Sequence, residues 1–172
     1  YPIGEWSCSP DWQGSNGTLV VDGPCGGTIN QDVLDKGEPL TLTIENGQVI
    51  KAEGGAEALS MWKAYLDSGN NSSNDAYRLA EVGIGINSRA LEGKPREHWG
   101  SSEGEKRYGT VHVAVGSNGS FGRTQDDPNF NAAEVHCDMV VGLNDKNVVT
   151  VECETDDGEK FVLIEQGHSR SY

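Results

Sequence analysis

The chain has 172 residues, enough for one domain or two very small ones. Its net charge is -14, from 27 acidic against 13 basic residues, which argues against nucleic acid or an anionic membrane as partner. Hydrophobic content is only 35%, but the apolar residues fall in regular segments, so a folded domain is expected; 23 glycines predict many tight turns and few long helices.

No stretch approaches the ~20 apolar residues of a membrane-spanning helix, so a soluble, cytoplasmic protein is expected. The chain opens abruptly on "YPIGEW", a start that shows no signal-peptide pattern and is expected where processing or truncation has removed what came before. In that stretch Gly4 and Trp6 suggest a fixed start to a strand around Glu5. "GTLVVDG" (17–23) is a short apolar strand between turn signals. In "LTLTIENGQVIKAEGG" (40–55), Leu40, Leu42 and Ile44 alternate with polar residues, and Asn46-Gly47 supplies a tight hairpin. "AEALSMWKAYLDSG" (56–69) changes period: Leu59, Trp62 and Leu66 make one helical stripe, and Gly69 is the stop.

A polar loop (70–75) leads to "YRLAEVGIGIN" (77–87), a possible helical turn running into a glycine-interrupted strand. The segment 91–109 is long, polar and irregular, as active-site loops often are. "TVHVAVG" (110–116) is a buried strand, and 117–131 is another loop. The runs 133–143, 147–153 and 160–167 read as three successive antiparallel strands, the last two joined by a hairpin turn at 155–159. The expected fold is α+β: a mostly antiparallel curved sheet or partial barrel with one or two helices, spanning 1–172 as a single domain.

Cys8, Cys25, Cys137 and Cys153 form no CxxC, which makes a zinc ribbon or thioredoxin-type motif unexpected. Cys137 could face Cys153, and Cys8 could face Cys25; four cysteines allow three pairings. Asn16, Asn71 and Asn118 open glycosylation triplets.

The chemistry-bearing residues sit in or beside apolar strands, where ionisable groups are costly without a partner. Glu81 in "LAEVGIG" reads as a salt-bridged glutamate or a ligand, and His112 in "TVHVAVG" as a hydrogen-bonded core residue or a ligand. In "HCD", His136 and Asp138 are two apart, so a strand presents them side by side while Cys137 faces the other way. Imidazole and carboxylate together suit zinc, manganese, cobalt or iron, and a metal-free His–Asp pair is the competing account. Glu105-Lys106 is either an exposed charge pair, or a support for the ligands or contact to a substrate carboxylate. With Glu5 there are five potential ligands, enough for one metal or for two sharing a carboxylate.

The order "NGTLVVDG", "LTLTIENGQVIKAEGG", "LAEVGIGIN", "EKRYGTVHVAVGSNGSFG" and "HCDMVV" resembles the C-terminal catalytic half of the thermophilic metallo-aminopeptidases, the aminopeptidase T and S or leucyl aminopeptidase family. The resemblance implies metal ligands at Glu5, Glu81, His112, His136 and Asp138. It further implies one or two zinc, cobalt or manganese ions, a metal-activated water that cleaves N-terminal peptide bonds with Glu81 as a catalytic residue, and a homo-oligomer. The family carries an oxyanion-stabilising tyrosine a few residues beyond the "GTxH" histidine. Here that loop holds Phe121, and Tyr108 upstream is the candidate to replace it. The family's N-terminal α/β domain is absent from this chain, which leaves a partner chain or missing domain to form the other wall of the cleft.

The loop and the missing tyrosine also look like the relatives that cleave dihydroxypyridine rings with a single ferrous iron and oxygen, where Ser120 would be a further ligand. Three readings follow: an aminopeptidase-like hydrolase acting on peptides, an Fe(II) ring-cleaving dioxygenase acting on a small hydroxylated pyridine, and a non-catalytic structural or assembly module derived from the fold.

Overall fold

A computed structural model describes residues 4–26, 29–70, 75–144 and 148–169. In chain order its elements are β1 (Glu5–Cys8), β2 (Gly17–Val21), α1 (Gln31–Asp35), β3 (Leu40–Glu45), β4 (Gln48–Glu53), α2 (Ala56–Ser68), β5 (Leu79–Gly85), α3 (Ser101–Gly104), β6 (Val111–Gly116), β7 (His136–Val141), β8 (Val151–Glu154), β9 (Lys160–Glu165) and β10 (His168–Ser169). The strands form three antiparallel sheets, β1-β5-β6-β7, β2-β3-β4 and β10-β9-β8, so the fold is α+β. Among the described residues none of the sheets closes into a barrel, and beside the long helix α2 stand two short ones, α1 and α3, of five and four residues. Among the described residues no helix is long and apolar enough to cross a membrane.

The β3–β4 hairpin turns at Asn46 and Gly47, whose φ angles of 47° and 71° are those a two-residue turn between twisted strands requires. Helix α2 ends at Gly69 and buries Ala58, Trp62 and Leu66. These pack with Leu40 and Leu42 of β3 and with Val115, Cys137 and Met139 of the β1-β5-β6-β7 sheet. Fully burying a side chain such as Leu66 contributes roughly 1.5–3 kcal/mol, so this shared core fixes the sheet that carries the candidate ligands.

Successive strand residues point to opposite faces, and residues opposite one another in register share a face. Val115 and Cys137 are opposite each other and face the core; Ala114 and Asp138 are opposite each other and face away from it. In β5 the register shifts between Leu79, opposite Val115, and Glu81, opposite Ala114. Without that bulge at Ala80, Leu79 and Glu81 would share a face. The extra residue keeps Leu79 in the core and turns Glu81 to the other side.

Strand β7 does not pair with β8. One of its edges is bonded to β6, and the other is clasped by the segment at 23–26 through Gly23 N–H to the Val140 carbonyl (2.9 Å), Val140 N–H to the Pro24 carbonyl (3.2 Å) and Gly26 N–H to the Asp138 carbonyl (2.7 Å). With both edges occupied, the chain after 143 builds its own sheet, and the expected three-strand succession breaks there. The hairpin turn at 155–159 forms as expected, with Thr155 N–H on the Glu159 carbonyl at 2.9 Å.

All four cysteines are free thiols, so neither Cys137–Cys153 nor Cys8–Cys25 pairs. Cys8 is exposed, whereas Cys25 lies buried next to Cys137, and burial pushes both of those thiols up, Cys137 to about 12. Asn118 is 1% exposed and bonded to Ser9, Asn129 and Asn131, so its triplet is closed to glycosylation. Asn16 is exposed, and Asn71 lies outside the described residues.

Candidate metal centre

The face of the β1-β5-β6-β7 sheet that looks away from the core carries Glu5 and Ser7 from β1, Glu81 and Gly83 from β5, His112 from β6, and His136 and Asp138 from β7. Glu81 is the hub. Its Oε1 lies 3.1 Å from His112 Nε2 and its Oε2 lies 3.0 Å from His136 Nε2. Asp138 Oδ1 lies 3.1 Å from the same His136 nitrogen. Glu81, His136 and Asp138 each offer a ligand atom, and these atoms all lie within 4.8 Å of one another.

The His136 ring tests whether this set fits a cation. Its Nδ1 is 2.6 Å from the Ser117 carbonyl, which can only accept, so Nδ1 carries the hydrogen and donates it. In the neutral ring the Nε2 lone pair then faces two carboxylate oxygens. That contact is repulsive unless a proton or a metal ion stands between them. A proton is one such bridge: burial works against the charged form, yet Asp138 and Glu81 outweigh it and raise His136 to about 10. The metal's share is geometric. Ligand atoms ~2.1 Å from one ion stand ~3.0 Å apart in an octahedron and ~3.4 Å apart in a tetrahedron, which brackets the 3.0 and 3.1 Å separations around His136 Nε2. A carbonyl that fixes the tautomer of a ligand histidine is the usual outer support of such a site.

The Glu81 side chain is 9% exposed and His112 1%, whereas Asp138 is 20% and His136 28% exposed. Solvent therefore reaches the triad from the β7 side, leaving room for water or substrate. Burial penalises the Glu81 carboxylate, but bonds from His112, His136 and Ser7 reverse this and hold it well below the usual range. His112 is likewise raised, because Glu81 outweighs its burial; its Nδ1 has no hydrogen-bond partner among the described residues.

The other expected site residues are distributed around this hub. Glu5 Oε2 lies 3.9 Å from His112 Nε2 and is paired with Lys106 Nζ at 3.3 Å. Glu105 and Lys106 are hydrogen-bonded to each other with side chains 10% and 11% exposed, so the reading of an exposed charge pair does not hold. Burial and the charge of Asp138 push Glu105 up to about 7, against the pull of Lys106. Tyr108 is half-buried and held through its backbone N–H to the Asn87 carbonyl. Ser120 is exposed on a 3-10 turn after β6.

Three contributors escaped the sequence reading. Ser7 bonds Glu81, and it lies two residues from Glu5 on the same strand, a period-two signal that was readable. Ser117 acts through its carbonyl, which any residue possesses, so no side-chain signal existed. Gly83 sits opposite His112, and a Cβ there would lie 2.2 Å from His112 Cε1 and 2.3 Å from Nε2. Gly83→Ala is expected to displace the buried imidazole and destabilise the protein by roughly 2 kcal/mol. Urea unfolding of the chelated variant checks this; an unchanged midpoint would mean the ring has room to move.

The profile of the family described as NicX, 2,5-dihydroxypyridine 5,6-dioxygenase, matches residues 1–156. The chain belongs to that family. No curated protein sequence matches it. Among solved structures it is similar to 2,5-dihydroxypyridine dioxygenase from Pseudomonas putida KT2440, at 20% identity and a TM-score of 0.63, over 96% of this chain and 43% of that one. It is also similar to AmpT from Thermus thermophilus, at 18% identity and a TM-score of 0.65, over 96% of this chain and 39% of that one. At these identities the likeness is one of fold, and the chain spans less than half the length of either protein. The matched family is that of the ring-cleaving relatives that the motifs also resemble, and AmpT keeps the aminopeptidase T fold among the neighbours.

Proposed function

We propose that this chain carries the metal-binding portion of a ring-cleaving dioxygenase that acts on a hydroxylated pyridine with one ferrous iron. The observation that carries the reading is the cluster of Glu81, His136 and Asp138 on one sheet face, in a chain whose family is named for that reaction. Those three residues would hold the ion, with His112 in reach through Glu81. Ferrous iron bound there supplies the electron chemistry that lets oxygen react with an aromatic ring.

The remaining work falls to side chains of this chain. Ser117 keeps His136 in the tautomer that offers Nε2 to the ion. Glu105, at about 7, can take up or release a proton near neutral pH, as deprotonation of a ring hydroxyl requires. Lys106, beside it, offers an ammonium to a substrate oxygen or carboxylate. Roles for Tyr108 and Ser120 belong to the same proposal.

The test is anaerobic loading with Fe(II), then oxygen uptake and loss of ring absorbance with 2,5-dihydroxypyridine. Uptake that vanishes in Asp138→Ala is expected; iron-loaded protein that consumes no oxygen sinks the reading. A second reading, a metal-dependent aminopeptidase, is favoured by one feature: the two oxygens of Glu81 each meet a different imidazole, as a carboxylate shared by two ions would. It calls for hydrolysis of aminoacyl anilides by the cobalt- or zinc-loaded protein.

A further inference from the structure

Beside the triad lies a second set of donors. Glu81 Oε1 is 3.1 Å and Glu5 Oε2 is 3.9 Å from His112 Nε2. By donor chemistry alone, Glu5, Glu81 and His112 would suit a second dication sharing Glu81 with the first. A cation already stands there. Lys106 Nζ is 3.3 Å from Glu5 Oε2 and hydrogen-bonded to Glu105 Oε1, with its side chain 11% exposed.

We infer that Lys106 is a built-in cation that replaces a second metal ion and fixes the centre at one metal per chain. The inference rests on the metal reading above and adds to it a residue that sets metal number.

The physical case has three parts. A dication bound by Glu5 would have to sit within bonding distance of an oxygen that already faces the ammonium, where like charges repel across a poorly solvated gap. Lys106 cannot yield that place cheaply. Its backbone is tied on both sides, by Lys106 N–H to the Glu103 carbonyl (3.3 Å) and Asn87 N–H to the Lys106 carbonyl (2.9 Å). The third part is Glu105, a buried carboxylate whose Oε2 has no hydrogen-bond partner among the described residues. Moving the ammonium would leave the buried Glu105 carboxyl without the hydrogen-bond donor it now has.

Geometry separates the two halves of the cluster in the same sense. The ligand atoms that meet within 4.8 Å of one another are those of Glu81, His136 and Asp138. Glu5 and His112 fall outside that set. One carboxylate group, Glu81, touches both halves, so a second ion, if admitted, would be magnetically coupled to the first.

Manganese(II) titration of the chelated, refilled protein, followed by native mass spectrometry and electron paramagnetic resonance, tests this. Wild type is expected to take one equivalent and to show an isolated Mn(II) signal. Lys106→Met is expected to take two equivalents with an exchange-coupled signal, and Lys106→Arg, which keeps the charge, to return to one. Lys106→Gln serves as the neutral variant if methionine disturbs folding, judged by circular dichroism. Two equivalents in wild type, or one in every folded neutral variant, overturns the role given to Lys106. No manganese in either wild type or variant removes the metal reading itself, and this inference with it.

Discussion

Replacing Glu81 with alanine is expected to lower affinity for divalent ions by at least about 100-fold, more than loss of an outer support residue costs. Glu81 touches both imidazoles and belongs to the triad. Its removal takes away a ligand and the acceptor that orients His112. The chelated variant should also lose roughly 3 kcal/mol of stability, because truncating one partner of a buried charged cluster strands the others. Glu81→Gln keeps the volume and can still accept from one ring, so its stability loss should be smaller while its metal loss stays large. Isothermal titration with manganese and urea denaturation in chelator read the two effects separately. Full affinity in Glu81→Ala would place the ion elsewhere.

Stability of the chelated protein should fall as pH rises from about 7 to 10, and bound metal should reverse that slope. His136 is raised in the folded state to about 10, from an ordinary value of 6.5. A raised basic group contributes fully below its unfolded value, and the contribution is lost as pH climbs through the folded one. Glu81 is shifted the other way, held below its ordinary value of 4.5. Its contribution is present above that value and lost as acid is added. For this cluster the optimum in chelator therefore lies between about 4.5 and 6.5, with His136 and the likewise raised His112 accounting for the alkaline decline, an effect of a few kcal/mol. A ligand histidine must be neutral, so the same rise in pH strengthens metal binding. Differential scanning calorimetry with chelator and with manganese should give melting temperatures that diverge above pH 7. A melting temperature in chelator that holds or rises from pH 7 to 10 would contradict the proton's position on His136.

Much of the fold was legible where the sequence signal is local. Asn46-Gly47, the stripe through Trp62 and Leu66, and the period of two in "HCD" each depend on neighbours within a few residues, and each appears as expected. What was not legible depends on distant partners. The clasp of β7 by the segment at 23–26 sets which strands pair, and nothing near residue 140 announces it. The bulge at Ala80 decides which way Glu81 points, and "LAEVG" reads equally well without it. For the site, the residue types were readable, because His and Glu inside apolar strands need partners. Their arrangement was not. The set of five potential ligands divides into a triad around His136 and a separate group in which Lys106 has taken Glu5.

Only His136 and Asp138 are neighbours in the chain; Glu81 and His112 are 31 residues apart and come from different strands. A growing polypeptide therefore has no ion trap to offer until β7 has been made and slotted between β6 and the early segment at 23–26. An ion that takes this triad would enter only once β7 has paired, through the side where His136 and Asp138 remain open to water.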